Sequence, residues 1–356
     1  MASETVAEIN RAVIYTKPTT TETKIVELPV PQPGPGQVLV RLQYSGVCHT
    51  DYAFCMGTFP GAPPAQEGQI GGHEGVGTVV SQGPGILTPA VGSKVGIKFS
   101  ADACLSCKEC LEGSETSCRE TQISGYTVPG TFQQFCVAAA RYVTPIPENM
   151  DLAAAAPLMC SGVSAYAALK RAGLRNGDWV VISGAGGGLG HLGIQYAKVL
   201  GGRVLAIDSS DKEELCKKLG AEFFLDFRKY DSDQSLAETV LSITAGGARI
   251  ALMCASSARA YAQGMSWLRV RGILACLGIP EGDGMLAVNL TQMVNGERSI
   301  VATKSGNRLE AVECLEIAAR CGIKTEYQLF RLDDLTDVFN IMRDGKIIGR
   351  AVLDLQ

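Results

Sequence analysis

Short runs of apolar and β-branched residues, broken by glycine and proline, dominate the first part of the chain, from about residue 11 to residue 143. Residues 38–42 (Val-Leu-Val-Arg-Leu) and 76–80 (Val-Gly-Thr-Val-Val) are examples of this pattern. Runs of this length between turn-forming residues are typical of β-strands. The first part of the sequence therefore predicts an irregular, β-rich domain.

The pattern changes near residue 151, where apolar strands begin to alternate with helix-length segments. Strands spaced by helices form a parallel sheet with right-handed crossovers, so the predicted fold class is α/β. The last apolar run, residues 350–353, is expected to rejoin the first domain. The predicted strands lie at residues 180–182, 204–207, 223–225, 250–254 and 273–277, and the predicted helices at residues 189–200 and 212–219.

These changes divide the chain into three predicted segments. Residues 1–157 form the β-rich domain, residues 158–296 form the parallel-sheet domain, and residues 297–356 return to the first domain. A chain of 356 residues is long enough for two domains with separate cores. The parallel-sheet domain is therefore expected to be inserted in the β-rich one.

Composition and charge exclude some classes of function. The chain is 46% hydrophobic and 19% charged, with a net charge of −4, which is typical of a folded globular protein. General binders of nucleic acid or anionic membranes need clustered Lys and Arg, so we expect no nucleic-acid and no membrane partner. Residues 152–169 contain no charged side chain, but Pro157 interrupts them, and we interpret them as buried helix and turn.

The chain contains thirteen cysteines. Its first ten residues carry two acidic side chains and no apolar core, so we expect no secretory signal there. Many cysteines without such a signal indicate a reducing compartment and metal binding rather than disulfides. We therefore expect a cytoplasmic protein that uses some of its thiols as metal ligands.

Four of the cysteines form a C-x2-C-x2-C-x7-C run at Cys104, Cys107, Cys110 and Cys118. Four thiolates satisfy a tetrahedral zinc ion and leave no position open for chemistry. The run therefore predicts a structural zinc lobe at about residues 100–120. A zinc finger that binds nucleic acid is the alternative for these cysteines alone, and the acidic balance of the chain argues against it.

A glycine-rich loop follows the predicted strand at residues 180–182 and precedes a helix. In this context glycines let a dinucleotide pyrophosphate approach the backbone at the helix N-terminus. The strict G-x-G-x-x-G pattern does not fit, and the register that ends at Gly190 begins with an alanine. The loop residues assigned to cofactor binding are Gly184, Gly187, Gly188, Leu189 and Gly190.

Asp208 ends the next predicted strand, about 20 residues beyond the loop. A carboxylate at that position bonds the adenosine ribose and repels a 2′-phosphate, so NAD(H) is favoured over NADP(H). Ser209 and Ser210 leave room for the use of both cofactors. The structural alternative is a tight turn with Asp208 as a helix cap.

A second group of metal-ligand residues is spread along the chain at Cys48, His73 and Cys160. Two thiolates and one imidazole can hold a zinc ion with a fourth position free for water or substrate. Each residue alone is a weak signal. Together with the four-cysteine run and the glycine loop, they predict an open, catalytic zinc site.

Several motifs resemble those of the zinc-dependent alcohol dehydrogenases of the medium-chain dehydrogenase/reductase superfamily, close to the fungal yeast-type enzymes. The resemblance covers nearly the whole chain. It implies hydride transfer between NAD(H) and an alcohol, aldehyde or ketone, a Rossmann domain inserted in a GroES-like catalytic domain, two zinc ions per chain, and a homo-oligomer, either a tetramer or a dimer. The similar motifs lie at residues 48–51, 71–75, 104–118, 131–135, 183–190 and 349–350.

The resemblance implies roles for residues of the catalytic zinc site. Cys48, His73 and Cys160 would hold the ion, with Glu74 nearby as an alternate ligand. Asp51 would not bind the ion itself but would support the residues that do.

The same resemblance implies contacts with the substrate and the cofactor. Thr50 would hydrogen-bond the substrate oxygen and pass its proton. His49 and Arg350 would contact the cofactor pyrophosphate, and Leu277 is also assigned to the cofactor site.

One position departs from the family pattern. Well-known relatives carry a histidine three residues after this threonine to relay the proton to solvent, and this chain has Ala53 there. The chain has only three histidines, His49, His73 and His191, so no spare imidazole remains for the relay. We expect the relay to be missing or replaced by the ribose hydroxyl and water, with a rate that depends weakly on any group titrating near neutrality.

The predicted substrate pocket also departs from the family pattern. Yeast-type relatives carry bulky tryptophans where this chain has Cys55, Phe59 and Phe99. The smaller side chains favour a substrate larger than ethanol. Ile279 is assigned to the same pocket. Lys304 is either an anchor for a carboxylate, phenol or enol, or a solvated surface lysine.

The sequence leaves other functions open. A zinc-free enoyl or quinone reductase would use the same glycine loop without needing Cys48, His73 and Cys160 together. A non-redox catalyst of cyclisation or isomerisation, with zinc as the Lewis acid, is kept open by the missing histidine. A third alternative is a binding or structural protein without catalytic activity. The presence of all the predicted zinc ligands and of Asp208 argues against it.

Overall fold

Seventeen strands and eleven α-helices form in residues 8–280 and 284–356, the ranges that this computed structural model describes. The strands are β1 (Ile9–Tyr15), β2 (Thr23–Pro29), β3 (Gln37–Val47), β4 (Glu74–Gln82), β5 (Lys94–Ile97), β6 (Ser100–Asp102), β7 (Gln122–Ile123), β8 (Phe135–Ala139), β9 (Thr144–Pro145), β10 (Trp179–Ser183), β11 (Arg203–Asp208), β12 (Phe223–Asp226), β13 (Ala248–Met253), β14 (Leu268–Cys276), β15 (Ser299–Ala302), β16 (Tyr327–Arg331) and β17 (Arg350–Asp354). The helices are α1 (His49–Met56), α2 (Lys108–Leu111), α3 (Leu152–Ala155), α4 (Ser161–Arg171), α5 (Gly190–Val199), α6 (Glu213–Lys218), α7 (Asp233–Ile243), α8 (Ala258–Ser266), α9 (Leu290–Asn295), α10 (Arg308–Cys321) and α11 (Leu335–Arg343).

The chain folds into two units with separate cores. The first unit holds the residues up to Cys160 together with Asn307–Arg320 and Thr325–Gln356, and the second holds Ser161–Gly306 and Cys321–Lys324. The second unit is inserted in the first, as the sequence predicts. The first change of unit lies just beyond the predicted residue 157. The return comes at residue 307 instead of 297, because β15 still pairs with β14 in the sheet of the second unit.

Strand β3 organises the first unit. Its 11 residues pair antiparallel with β4, β8 and β17. The sheet runs in the order β16-β17-β3-β4-β5-β9, and two small sheets, β1-β2 and β6-β7, accompany it. Apolar residues of β3 such as Val38, Val40 and Leu42 are buried in the core of this unit. The last apolar run of the sequence is β17, so the prediction that it rejoins the first domain is confirmed.

The second unit is built on a six-stranded parallel sheet in the order β12-β11-β10-β13-β14-β15. All five predicted strands and both predicted helices of this unit are present, with small shifts at their ends. Every residue of β10 is buried, which explains its uninterrupted apolar sequence. The strand order reverses between β10 and β13, as in a doubly wound Rossmann sheet.

No single helix in the described ranges is long and apolar enough to cross a membrane. Two adjoining segments, Leu152–Met159 and Ser161–Arg171, reach that length and hydropathy only together, across a bend. Nearly all of their side chains are buried in the protein, as the sequence predicts for this stretch.

Leu252 tests the packing of the second unit. It lies fully buried in β13, and its Cδ2 fills the space that the missing side chain of Gly193 leaves in α5. We expect Leu252→Ala to lower the free energy of unfolding of this unit by about 2–5 kcal/mol. Urea unfolding followed by tryptophan fluorescence measures this, because the only two tryptophans, Trp179 and Trp267, both belong to the second unit.

Val199→Ala is the matched control for this experiment. Val199 lies on the exposed side of α5, so its truncation should leave the unfolding midpoint nearly unchanged. Equal losses in the two variants would mean that Leu252 is not part of a close-packed core.

Candidate metal centres and nucleotide site

The structure brings Cys48, His73, Glu74 and Cys160 together, with one ligand atom of each within 4.8 Å of the others. Cys48 follows β3 and precedes α1, His73 and Glu74 stand at the start of β4, and Cys160 follows a 3-10 turn. The pairing of β3 with β4 sets Gly46 opposite Glu74. A Cβ at Gly46 would lie 2.0 Å from Glu74 Oε2, so only glycine leaves room for this carboxylate.

Asp51 ties the ligand cluster to helix α1. One of its carboxylate oxygens accepts the backbone N–H of Cys48 at 2.9 Å, which caps the helix N-terminus. The other lies 2.7 Å from Nδ1 of His73. A carboxylate on Nδ1 fixes the imidazole ring and leaves Nε2 as the ligand atom. Asp51 therefore has the geometry that its predicted supporting role requires.

Nε2 of His73 shows that this cluster fits a metal ion. The atom is buried 4.0 Å from Oε1 of Glu74, and none of the described residues gives it a hydrogen-bond partner. Burial lowers the pKa of His73, but the charge of Asp51 and its hydrogen bond outweigh burial and raise the pKa well above its usual value. Asp51 thus favours a positive charge at Nε2. Either a proton or a metal ion bound at this atom supplies that charge. The donor set matches an open zinc site.

The two thiols of the cluster differ in acidity. A hydrogen bond from Cys160 lowers the pKa of Cys48, and this effect outweighs burial. The same hydrogen bond, together with burial, raises the pKa of Cys160. The thiolate is the form of cysteine that binds zinc. The site therefore already favours the metal-binding state at Cys48.

Glu74 and Arg350 form a buried ion pair in which Nη2 of the arginine donates to Oε1 of the glutamate. Burial raises the pKa of Glu74 to about 7, although the charge of Arg350 opposes it. Oε2 of Glu74 and Nε of Arg350 have no partner within residues 8–280 and 284–356. The sequence assigned Arg350 to the pyrophosphate and did not foresee this pair. The pyrophosphate contact stays a prediction, and it would have to share the guanidinium with Glu74.

Three further predicted residues lie on or near this cluster. Thr50 is half-buried and His49 is exposed in the first turn of α1, where the ring of His49 lies 5.5 Å from that of Tyr52. Phe99 meets the imidazole of His73 edge-on, with ring centroids 5.5 Å apart. Phe99 therefore forms a wall beside the metal ligands, which is the location that the pocket assignment requires.

The four cysteines of the lobe form the second cluster, with all sulfurs within 4.8 Å of one another. Sγ of Cys104 lies 3.6 Å from that of Cys118 and 4.0 Å from that of Cys110. A tetrahedral zinc ion requires sulfurs about 3.8 Å apart. Hydrogen bonds from Ser106 and Cys107 lower the pKa of Cys104 to about 6. The set fits a closed, structural zinc site.

In the second unit, the glycine loop lies between β10 and α5, at the point where the strand order reverses. Open parallel sheets bind ligands at this point. Gly184 has a φ of +69°, and a Cβ at Gly190 would lie 2.1 Å from the carbonyl oxygen of Gly184. The loop therefore folds back closely on itself, with Gly187, Gly188 and Leu189 in its second half.

Asp208 ends β11 and bonds to the glycine loop. Its Oδ2 accepts the N–H of Gly186 at 2.8 Å, and its Oδ1 accepts the N–H of Ser209 at 2.7 Å. The hydroxyl of Ser209 also donates to Oδ1 at 3.4 Å. A carboxylate has about four lone-pair sites, so one remains for a ribose hydroxyl. Leu277 follows β14 at the same edge of the sheet, with its N–H bonded to the carbonyl of Met253 at 3.2 Å. The ribose contact stays a prediction.

The remaining pocket residues lie in different surroundings. Cys55 is fully buried, and its thiol donates to the carbonyl of Thr20 at 2.9 Å, which makes it a core residue and corrects its place in the pocket wall. Phe59 is half-buried against a neighbouring phenylalanine ring, 4.6 Å between centroids. Ile279 and Lys304 are both exposed in the second unit. The two interpretations of Lys304 therefore both stand.

Comparisons with known proteins show the family of this chain. The family described as alcohol dehydrogenase GroES-like domain matches residues 34–148, and the zinc-binding dehydrogenase family matches residues 188–320. Alcohol dehydrogenase 2 of Emericella nidulans is 44% identical over 100% of both chains, and the alcohol dehydrogenase of Schizosaccharomyces pombe is 41% identical over 97% of each. The chain belongs to the zinc-dependent alcohol dehydrogenases.

A solved NAD-dependent alcohol dehydrogenase is similar to this one in fold, with a TM-score of 0.87 at 25% identity over 97% of this chain and 100% of that chain. The predicted combination of a GroES-like and a Rossmann domain is confirmed. The protein is thus an oxidoreductase, an alcohol dehydrogenase or carbonyl reductase of the medium-chain superfamily, and its substrate is a small alcohol or carbonyl compound.

Sequence reasoning missed two features of this dehydrogenase. The first is the pairing of Glu74 with Arg350, for which the sequence contains no local signal. The second is Lys98, which is only 2% exposed. The sequence contains a signal for this burial, because the lysine lies inside the apolar run at residues 95–99.

Asp51→Asn tests the support of the open site. The substitution keeps the shape of the side chain but removes the charge that stabilises His73 as a ligand. We expect the zinc affinity of this site to fall about 10- to 100-fold. Zinc retained per chain during a chelator titration measures this. Asp233→Asn is the control, because Asp233 is half-exposed and pairs with Arg259 in the second unit. An unchanged affinity in Asp51→Asn would contradict the role of Asp51.

Proposed function

We propose that this alcohol dehydrogenase holds two zinc ions per chain, prefers NAD(H), and acts on an alcohol or carbonyl compound larger than ethanol. The observation that carries the proposal is the buried Nε2 of His73, which has no hydrogen-bond partner among the described residues and lies in one cluster with the sulfurs of Cys48 and Cys160. The second zinc ion belongs to the closed four-sulfur lobe, where it supports the fold.

The residues of the open site prepare the substrate for hydride transfer. Cys48, His73 and Cys160 would hold a zinc ion, which would supply Lewis-acid polarisation of the substrate oxygen, while a bound nicotinamide would supply or accept the hydride. Asp51 keeps the imidazole oriented, and Phe99 shields one side of the ligands from water. The role of the chain is to orient the reactants and to exclude solvent.

Thr50 is the residue that we propose to hydrogen-bond the substrate hydroxyl and take up its proton. It lies in the first turn of α1, directly before Asp51, so the same helix fixes both side chains. Position 53, one turn further along this helix, is alanine and offers no proton acceptor. The proton would continue through the ribose hydroxyl of the cofactor and water.

Asp208 supports the preference for NAD(H). Its carboxylate already accepts two backbone N–H groups beside the glycine loop, which fixes it where the ribose is expected. A fixed negative charge at that place repels the 2′-phosphate of NADP(H). Ser209 adds a neutral hydroxyl and leaves residual binding of NADP(H).

We also propose a homo-oligomer in a reducing, cytoplasmic compartment. Strand β15 is one of the two edge strands of the six-stranded sheet, and Leu290 and Val294 of α9, the helix that precedes it in the chain, are 72% and 75% exposed. An open sheet edge with exposed apolar side chains is a typical pairing surface for a second copy. No disulfide joins cysteines within the described residues, which supports a reducing compartment.

A panel of substrates with NAD and NADP, together with zinc counted per chain, tests the proposed function. We expect two zinc ions, a higher kcat/KM with NAD, and faster turnover of long aliphatic or aromatic alcohols than of ethanol. Cys48→Ser should abolish turnover and leave one zinc ion in the lobe. Cys104→Ser should lose the lobe zinc.

Cys321→Ser is the control, because Cys321 is exposed and lies outside both clusters. It should keep both zinc ions and full turnover. Ethanol turned over as fast as the larger alcohols would remove the substrate assignment. A lack of any absorbance change at the nicotinamide band across the panel would favour the non-redox alternative.

The pH dependence of turnover tests the proton path. Because no histidine stands at position 53, kcat/KM for alcohol oxidation should show no bend near pH 6.5, the ordinary pKa of histidine. Ala53→His should introduce such a bend, with the rate falling as the pH drops below about 6.5 and the imidazole becomes protonated. A bend of this kind in the unaltered enzyme would mean that another group carries the proton, either His49 or Glu74, whose pKa burial raises to about 7.

A further inference from the structure

Five arginines lie at the end of the six-stranded sheet where its parallel strands begin, and the glycine loop lies at the other end. A parallel strand advances about 3.3 Å per residue, so the six residues of β13 place roughly 16 Å between the two ends. The five belong to the second unit and are called the arginine cluster: Arg175, Arg249, Arg269, Arg271 and Arg298.

A bulge in β14 places two of these side chains at the surface. Residues 269–272 of β14 lie opposite Arg249 alone in β13, because the pairing resumes only at Ile273. Extra residues of this kind bend a strand and redirect its side chains. Arg269 and Arg271 are both exposed, and Arg271 has a φ of +60°, a conformation that favours glycine. The bulge is therefore a strained local feature that presents two guanidinium groups to solvent.

Hydrogen bonds hold two more guanidinium groups against the bulge. Nη1 of Arg249 donates to the carbonyl of Arg271. Nη2 of Arg298 donates to the carbonyl of Leu268 at 2.6 Å. The backbone N–H of Arg271 bonds to the carbonyl of Gly296, two residues before Arg298, at 2.7 Å. These arginines therefore form one connected patch.

Asp178 connects Arg175 to the same patch. Its Oδ1 accepts from Nη2 of Arg269 at 3.3 Å, and its Oδ2 accepts the backbone N–H of Arg175 at 3.1 Å. A second carboxylate, that of Glu297, lies 3.4 Å from Nε of Arg271. Both side chains of that pair are largely exposed, and exposed ion pairs contribute little.

Positive charge is in excess at this patch. Within residues 8–280 and 284–356, no carboxylate forms an ion pair with Arg249 or Arg298. Among the described residues, two carboxylates contact a cluster of five arginines, although the whole chain has a net charge of −4. The cluster therefore departs from the acidic character of the rest of the chain.

The excess charge acts on Arg249. Burial lowers the pKa of Arg249, and the charges of three neighbours lower it further against the opposing charge of Asp178: Arg269, Arg175 and Arg271. A guanidinium nevertheless stays protonated in proteins. The repulsion between these groups therefore persists, and a bound anion would relieve it.

We propose that the arginine cluster is a binding site for a small polyphosphate anion, either inorganic polyphosphate or the phosphate chain of a nucleotide. The guanidinium fork pairs with phosphate oxygens through two parallel hydrogen bonds. A short chain of phosphates can engage several guanidinium groups at once, and it concentrates more negative charge than carboxylates spread over the same length. A long nucleic acid would need a basic surface that extends well beyond one bulge.

Calorimetric titration of the complete enzyme with inorganic tripolyphosphate tests the proposal. The enzyme is first saturated with NADH, so that the glycine loop at the other end of the sheet is occupied. We expect saturable binding of one tripolyphosphate per chain at low ionic strength, and weaker binding as salt is added. Absence of saturable binding would overturn the proposal.

Two variants locate the binding. Arg249→Gln and Arg271→Gln should each lower the affinity at least about tenfold, because each removes hydrogen bonds between charged groups. Arg271→Gln leaves the backbone carbonyl of that residue in place, so it changes the charge with little effect on the bulge. Both variants keep all the candidate zinc ligands, so chelation of zinc by the probe cannot produce a difference between them and the unaltered enzyme.

Arg259→Gln is the matched control. Arg259 is exposed at the start of α8, which follows the far end of β13, and its substitution should leave the affinity unchanged. Equal affinities in the unaltered enzyme, Arg249→Gln and Arg271→Gln would show that the cluster does not hold the anion.

Thermal unfolding gives an independent measurement. A ligand that binds only the folded chain stabilises it, so tripolyphosphate should raise the melting temperature of the unaltered enzyme more than that of Arg271→Gln. An equal shift in both proteins would contradict the proposal. Cys48→Ser should still bind tripolyphosphate, because the site needs no catalytic zinc, so failure here and failure of the proposed function are separate results.

The same titration with ATP distinguishes the two sources of the phosphate chain. Binding of ATP that is tighter than that of tripolyphosphate assigns the site to a nucleotide, and equal or weaker binding assigns it to inorganic polyphosphate. In either case the affinity must fall in Arg249→Gln. ATP binding that NADH displaces completely would place the ligand at the glycine loop and overturn the proposal.

Discussion

The hydrogen bond between Asp51 and His73 is the interaction on which the open metal site depends. One carboxylate caps helix α1 through the N–H of Cys48 and orients the imidazole from the next strand. The cap positions Cys48 and Thr50 relative to the imidazole ring of His73. The same carboxylate therefore sets both the start of the helix and the arrangement of the ligands. Because Asp51 is 2% exposed, water does not compete for either bond.

Charge balance is the second constraint on this site. Cys48 as thiolate and Glu74 as carboxylate would place two negative charges in a buried cluster, and Arg350 is the cation within the first unit that offsets them. Within the part of the chain that the structure describes, neither Glu74 nor Arg350 finds hydrogen-bond partners for all of its polar atoms. A buried ion pair that has unused hydrogen-bond donors and acceptors can exchange partners at a lower free-energy cost than a pair whose hydrogen bonds are all made. This suits a site in which a fourth position is open.

Local patterns predicted most of the fold, and long-range pairing explains what they could not predict. The strands of the second unit are apolar on both faces, and the metal-ligand residues are recognisable by their type. The sequence therefore predicts these strands and these ligands. The Glu74–Arg350 contact joins residues that are 276 positions apart and depends on β17 lying next to β3. The place of Cys55 in the core depends on the segment that contains Thr20. Strand β15 was assigned to the wrong domain because four residues carry too weak a pattern.

The two candidate metal centres differ in the distance along the chain between their ligand residues. The lobe gathers its four sulfurs from one short loop, so closing that loop costs little conformational entropy. The open site draws its ligands from three distant segments, and it exists only after β3, β4 and the turn at Cys160 have assembled. Metal uptake would therefore be ordered in time: the lobe can capture an ion while the rest of the chain is still unfolded, and the open site can fill only afterwards.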